Sequence, residues 1–100
     1  MKVNTQSVNF NADQKLVDFI QKRMDKLELY YDRVISSDVY LKVQKTSTKE
    51  NKFVEVKVHV PGDDFIVKKQ CKTFEEGIDM ATGSLGRVLL KRKEKLRAHI

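Results

Sequence analysis

Residues 53 to 60 read FVEVKVHV, the most regular alternation of polar and apolar side chains in this chain. Every second residue from Val54 to Val60 is a valine, and bulky or polar residues fill the positions between them. Because successive side chains of a β-strand point to opposite faces of a sheet, this pattern predicts a strand whose valines face a core. Pro61-Gly62-Asp63-Asp64 predicts a turn, and residues 65 to 72 predict a strand that returns beside the first.

The same alternation predicts two earlier strands. Asp38 to Lys45 places Val39, Leu41 and Val43 on one face, and a shorter strand is expected from Val3 to Val8. Short connections predict that the later strands run antiparallel.

Two amphipathic helices complete the pattern. Asn11 with Gln14 predicts the N-terminus of the first helix, and Thr73 with Glu76 predicts that of the second. The apolar stripe of the first helix is Leu16, Ile20, Met24, Leu27 and Tyr31. The stripe of the second is Phe74, Ile78, Ala81, Leu85, Val88 or Leu89, and Leu96.

The resulting order is β-α-β-β-β-α, an α+β two-layer sandwich in which two helices cover one face of a four-stranded sheet. A length of 100 residues with 40% apolar content predicts a single domain over residues 1–100. The single cysteine, Cys71, allows no internal disulfide, and no run approaches the roughly 18 apolar residues of a membrane span. We therefore expect a soluble protein of the cytoplasm.

Positive charge is concentrated on particular surfaces of both helices. The net charge is +6. On the first helix the cations Lys15, Lys22 and Lys26 share one side, with Arg23 at its border. On the second helix six cations fill the last three turns, and the macrodipole accounts for only two or three of them. This segregation favours a surface for a polyanion, formed jointly by both helices, over an ordinary solvated face.

Two glycines of the second helix, Gly83 and Gly86, are expected to project away from its apolar stripe. One hypothesis is that they leave the outer surface bare for close approach of a nucleic-acid backbone. Neutral drift at an undemanding surface position is the alternative.

Candidates for catalysis are few. His59 lies on the outer face of a strand, His99 is penultimate, and neither has a carboxylate neighbour predicted by the sequence. Cys71 has no nearby histidine, and the spacings typical of zinc sites are missing. The sequence therefore predicts a non-enzymatic protein without a cofactor.

Four segments carry a resemblance to a known family: KLELYYDRV at 26–34, LKV at 41–43, GID at 77–79 and RVLLKRKEKLRAH at 87–99. Together they resemble the ribosome hibernation-promoting factors, also called ribosome-associated translation inhibitors, in their short form. The resemblance implies the fold already predicted, akin to double-stranded RNA-binding domains. It also implies binding to the small ribosomal subunit in the mRNA and tRNA channel, inhibition of translation in stressed or stationary cells, and ribosome pairing assisted by a second small factor.

The resemblance implies that ribosomal RNA is bound by Arg23, Lys26, Arg33, Arg87, Lys91, Lys93 and Lys95. Geometry alone adds Lys22 and Arg92 to this set. For Tyr30, packing is favoured over stacking on an RNA base. Ser84 stands where members often carry a lysine. The alternative function is regulation of transcription, in which the same basic face binds an acidic protein.

Overall fold

The computed structural model describes residues 1–44 and 49–97, with the backbone alone for Arg97. The predictions for residues 45–48, for the side chain of Arg97 and for His99 lie outside this part. The α+β order predicted from the sequence is confirmed. The elements are β1 (Lys2–Val8), α1 (Gln14–Asp25), a 3-10 helix (Lys26–Leu29), β2 (Ser36–Val43), β3 (Lys52–Val60), β4 (Asp63–Cys71) and α2 (Phe74–Arg97).

The sheet has the strand order β1-β2-β3-β4. β2, β3 and β4 pair antiparallel, as their short connections predict, whereas β1 pairs parallel to β2 with Lys2 opposite Ser36. Parallel neighbours need a crossover connection, and α1 with the 3-10 helix provides it. The sheet is therefore mixed.

The hydrophobic core lies between the sheet and the two helices. Val54, Val56, Val58 and Val60 are all buried, as the alternation predicts. The stripe predicted for the first helix is buried over its full length, although Tyr31 lies just beyond the 3-10 helix: Leu16, Ile20, Met24, Leu27 and Tyr31. The stripe of α2 is buried at Phe74, Ile78, Ala81, Leu85 and Leu89.

The predicted cap of α1 is wrong by two residues. Asp13 is the N-cap, with extended backbone angles, and its Oδ1 accepts a hydrogen bond from the Leu16 amide at 2.8 Å. Asn11 lies in the connection between β1 and α1, and Asp13 is the cap because its carboxylate is the one that reaches the Leu16 amide. At the start of α2, Oγ1 of Thr73 accepts from the Glu76 amide at 3.2 Å, so the second predicted cap is confirmed.

The predicted stripe of α2 is wrong only at its last residue, since Leu96 is 47% exposed. Of the two alternatives Val88 and Leu89, Leu89 is the buried one. α2 has 24 residues, which at about 1.5 Å per residue exceeds the length of the nine-residue strands that it crosses. Its end therefore extends past the core. Among the described residues, no helix is both long and apolar enough to cross a membrane.

Gly77 permits the close packing of α2 on the sheet. A Cβ atom at this position would lie 2.7 Å from Cγ2 of Val54, closer than carbon atoms approach without displacement. Since Val54 is fully buried in β3, it cannot easily move away. The glycine in the GID segment thus sets the distance between α2 and β3.

Candidate nucleic-acid interface

The first helical segment and α2 lie side by side and run in the same direction. Arg23 pairs with Asp79, and seven residues further along each segment the ring of Tyr30 packs on Gly86. The helix tightens into its 3-10 turn between these two contacts, where the Leu27 carbonyl accepts from the amides of both Tyr30 and Tyr31. The turn directs Tyr31 into the core and leaves Tyr30 on the α2 side.

A cleft of about 310 Å³ lies between these two contacts, and we call it the interhelical groove. It is lined by Arg23, Lys26, Leu27, Tyr30, Asp79, Thr82 and Gly83. Leu27 is buried at its base, and Lys26 is exposed at its edge. Apart from Gly83 itself, its two chain neighbours and the nearby backbone of α2, no atom of the described residues lies within 4 Å of the position that a Cβ at Gly83 would occupy. The α2 wall is therefore open there.

Arg23 enters the interhelical groove with a fixed geometry. Its Nε lies 3.0 Å from Oδ1 of Asp79, and its guanidinium lies 5.1 Å from the centre of the Phe19 ring. The sequence placed Arg23 at the border of the apolar stripe but gave no sign of Asp79 as its partner.

Gly86 corrects one prediction. It is buried, and a Cβ there would lie 3.2 Å from Cε2 of Tyr30. The predicted bare surface is therefore found at Gly83 alone, because Tyr30 covers Gly86. Tyr30 itself is 45% exposed, so one part of its ring packs on α2 and the rest faces solvent.

A second cleft, of about 250 Å³, lies on the other flank of α2, where the helix crosses β4. We call it the flank cleft, and its lining is Asp63, Phe65, Val88, Lys91, Arg92 and Lys95. Five of the predicted cations therefore line clefts on two flanks of α2. Lys26 and Lys91 border different clefts, and the joint surface expected from the sequence is divided by the helix itself.

Arg92 anchors α2 to the β3–β4 turn. Its Nη2 donates to the Pro61 carbonyl at 2.8 Å, its Nη1 lies 3.4 Å from Oδ2 of Asp63, and its guanidinium lies 5.8 Å from the Phe65 ring centre. Asp63 therefore matches the charge of Arg92, which helix geometry alone had added to the predicted RNA-binding residues.

The remaining predicted cations lie at separate places on the surface. Lys22 is exposed on α1, and Arg33 is exposed between the 3-10 helix and β2. Arg87 is exposed on α2 with Nη2 3.5 Å from Oγ of Ser84, and Lys93 is half-buried. Within the described residues, none of these four side chains belongs to the lining of either cleft.

The face of the sheet opposite the helices carries a charged cluster that the sequence did not predict. His59 contacts two carboxylates, with Nδ1 2.7 Å from Oδ1 of Asp64 and Nε2 2.7 Å from Oδ2 of Asp38. Asn4 donates to Asp38 at 3.1 Å, and Nζ of Lys57 lies 4.0 Å from Asp64. The expectation that His59 lacks a carboxylate partner is therefore wrong, because pairing of β2, β3 and β4 brings the three side chains together.

The hydrogen bonds in this cluster shift two ionisation equilibria. The bond to Asp38, and then that to Asp64, raises the pKa of His59 above its ordinary value. The same bond to His59, followed by that from Asn4, lowers the pKa of Asp38. Elsewhere, burial raises the pKa of the Cys71 thiol, which disfavours the reactive thiolate.

Comparison with known proteins agrees with the motifs in the sequence. The protein named ribosome hibernation promoting factor from Azotobacter vinelandii is 28% identical over 95 residues, which are 95% of this chain and 85% of that protein. The protein of the same name from Escherichia coli strain K12 is 29% identical over 99 residues, 99% of this chain and all of that protein.

The fold is also shared with a solved structure. A ribosomal subunit interface protein from Coxiella burnetii aligns with a TM-score of 0.81 at 16% identity, over 94% of this chain and 99% of that one. A profile of the family described as Sigma 54 modulation protein / S30EA ribosomal protein matches residues 3–97. The resemblance to ribosome hibernation-promoting factors is thereby confirmed, and the chain belongs to the Sigma 54 modulation protein / S30EA ribosomal protein family.

Proposed function

We propose that this protein binds RNA of the small ribosomal subunit, in the channel for mRNA and tRNA, and thereby holds ribosomes inactive during stress or stationary phase. The family and the names of the relatives support a role in ribosome hibernation. Contact with ribosomal RNA of the small subunit is inferred from the cations that line the two clefts of the interface.

The interhelical groove is the observation that carries this proposal. It combines the exposed ammonium of Lys26 with an α2 wall that Gly83 leaves open. Asp79, the acid in the groove, is already paired with Arg23, so its repulsion of a phosphate is reduced. A cation beside an open wall suits a phosphate of a nucleic-acid backbone, which must approach closely to gain from the charge.

Folded RNA fits this interface better than a short sequence motif does. Proteins recognise RNA helices largely through shape and through phosphate and 2′-hydroxyl contacts. The predicted cations are spread over two sides of α2 and over the loop that carries Arg33. Contact with several of them at once requires an RNA surface that surrounds α2, as the walls of a channel would.

Co-sedimentation with purified small ribosomal subunits at two salt concentrations tests the proposal. A site that neutralises about six phosphates should lose affinity with a log–log slope near −4 to −5. No co-sedimentation at low salt would refute ribosome binding. A shallow slope would instead favour the alternative function, in which the basic face binds an acidic protein. The family description, which names sigma 54 modulation, is consistent with that alternative.

A further inference from the structure

The flank cleft has two kinds of wall. Phe65 and Val88 form an apolar side, and Val88 is 36% exposed although it lies on a helix that packs against the sheet. Lys91 and Lys95 form the other side, one helical turn apart on α2. Among the described residues, neither lysine takes part in an ion pair.

Arg92 keeps this cleft in shape. Its bonds to Pro61 and Asp63 hold the guanidinium at the cleft, 5.8 Å from the centre of the Phe65 ring. Because Asp63 matches the charge of Arg92, the net positive charge of the cleft comes from Lys91 and Lys95. The cleft therefore presents an aromatic and aliphatic surface beside two free ammonium groups.

This combination matches one nucleotide better than it matches a phosphate alone. A phosphate needs only the lysines, whereas the partly exposed Phe65 ring, with the Arg92 guanidinium over it, also offers a surface for a base. The volume of about 250 Å³ is below the roughly 300 to 1,000 Å³ of pockets for drug-sized ligands, so a single nucleotide suits the cleft better than a larger ligand does. Proteins commonly hold unstacked RNA bases on aromatic side chains in this way.

We propose that the flank cleft holds a single unstacked RNA nucleotide, with its base on Phe65 and Val88 and its phosphate at Lys91 and Lys95. This inference rests on the proposed function and deepens it, since it assigns to α2 a base contact besides phosphate contacts. It also gives Val88 a reason to be exposed, and it distinguishes the roles of three neighbouring cations: Arg92 supports the cleft, and Lys91 and Lys95 bind.

The first test uses the isolated protein and small probes in an NMR titration. Adenosine monophosphate should shift the Phe65 ring and Val88 methyl signals and bind at least about fivefold more tightly than ribose 5-phosphate, because only the former carries a base. Phe65→Leu, which keeps an apolar side chain, should abolish this difference. Equal binding of the two probes, or a difference that survives in Phe65→Leu, would overturn the base site.

The second test distinguishes RNA from a free nucleotide as the occupant. Phe65→Leu should weaken co-sedimentation with small ribosomal subunits by about fivefold or more. Phe53→Leu is the matched control, since Phe53 packs edge-on against Tyr40, away from the cleft. If wild-type protein co-sediments and both variants match it, the RNA nucleotide site is refuted while the proposed function stands. If the wild type itself fails to co-sediment, the proposed function is refuted instead.

Thermal unfolding separates loss of the site from loss of the fold. Phe65 packs against the edge of the core, so Phe65→Leu could lower stability. Val88→Ser, at a position that is more exposed, provides a second variant. The proposal requires both folded variants to lose the preference for adenosine monophosphate, and a folded Val88→Ser variant that keeps the full preference would contradict it.

Discussion

Nε of Arg23 lies 3.0 Å from Oδ1 of Asp79, and this ion pair joins α1 to α2 at one end of the interhelical groove. Both side chains are more than a third exposed, so the pair contributes at most about 1 kcal/mol to stability. Its main effect is geometric. Together with Tyr30 on Gly86 it sets the separation of the two helical segments, and so the width of the groove that Lys26 borders.

The two glycines of α2 should respond differently to alanine. Gly83→Ala meets open space and should stabilise the protein by about 0.5–1 kcal/mol, the usual gain of alanine over glycine within a helix. Gly86→Ala should gain less, because the new Cβ would lie 3.2 Å from the Tyr30 ring. Chemical denaturation measures both, and in a Tyr30→Ala background the two gains should become similar.

Gly83→Ala also tests close approach of RNA. If a backbone contacts the open wall, the variant should bind small ribosomal subunits more weakly although it is more stable. Unchanged affinity in a stabilised variant would leave drift as the explanation of Gly83.

Lys26→Gln should weaken small-subunit binding and make the log–log salt slope shallower by about one, as expected for the loss of one phosphate contact. Lys2→Gln removes the same charge at an exposed position on β1 and should leave the slope unchanged. Co-sedimentation across a series of salt concentrations gives both slopes. Equal slopes for the two variants would show that Lys26 does not contact an RNA phosphate.

The division of the cations by α2 predicts additivity. Lys26 and Lys91 border different clefts and share no lining residue, so the losses in binding free energy of Lys26→Gln and Lys91→Gln should add within about 0.5 kcal/mol. Binding measurements on the two single variants and the double variant complete the cycle. A strongly non-additive result would indicate that the same RNA element contacts both lysines.

Ile78→Asp should prevent folding, because Ile78 is fully buried and an unpaired charge in the core costs several kcal/mol. Ile66→Asp is the matched control. Ile66 is 51% exposed on the open face of the sheet, and we expect only a small change in stability there. Circular dichroism and thermal unfolding of both variants test the assignment of the core face.

The His59 cluster predicts a stability that depends on pH. Because folding raises the pKa of His59, the stability that His59 contributes to the fold is complete below the ordinary pKa of 6.5. This stability is lost as pH rises through the raised pKa. Because folding lowers the pKa of Asp38, the stability that Asp38 contributes to the fold is present above the ordinary pKa of 3.8. This stability is lost as pH falls through the lowered pKa. The cluster therefore stabilises the fold most between these two ordinary values.

His59→Gln should lower the melting temperature more at about pH 5.5 than at about pH 8.5, on either side of the titration of histidine. Gln6→Asn, on the edge strand β1, serves as a control for nonspecific effects of pH. A difference between wild type and His59→Gln that is constant across this range would show that the imidazolium does not contribute.

The sequence by itself determined the order of the elements and which side of each one is buried. The valines of β3 and the stripe from Leu16 to Tyr31 lie where their spacing predicts, because the periods of strands and helices are local properties of the chain. The sequence determined the ends of the helices less well. Asn11 and Asp13 are both good caps, and Leu96 continues a helical spacing beyond the point where the sheet can cover it.

Only the tertiary structure decided which side chains meet. The contacts of His59 with Asp38 and Asp64, of Tyr30 with Gly86 and of Arg92 with Asp63 follow from strand register and from how the helices lie on the sheet. The placement of Lys26 and Lys91 in different clefts has the same origin. Periodicity determines a side chain's direction within its own element, whereas its neighbours depend on packing between segments far apart in the chain.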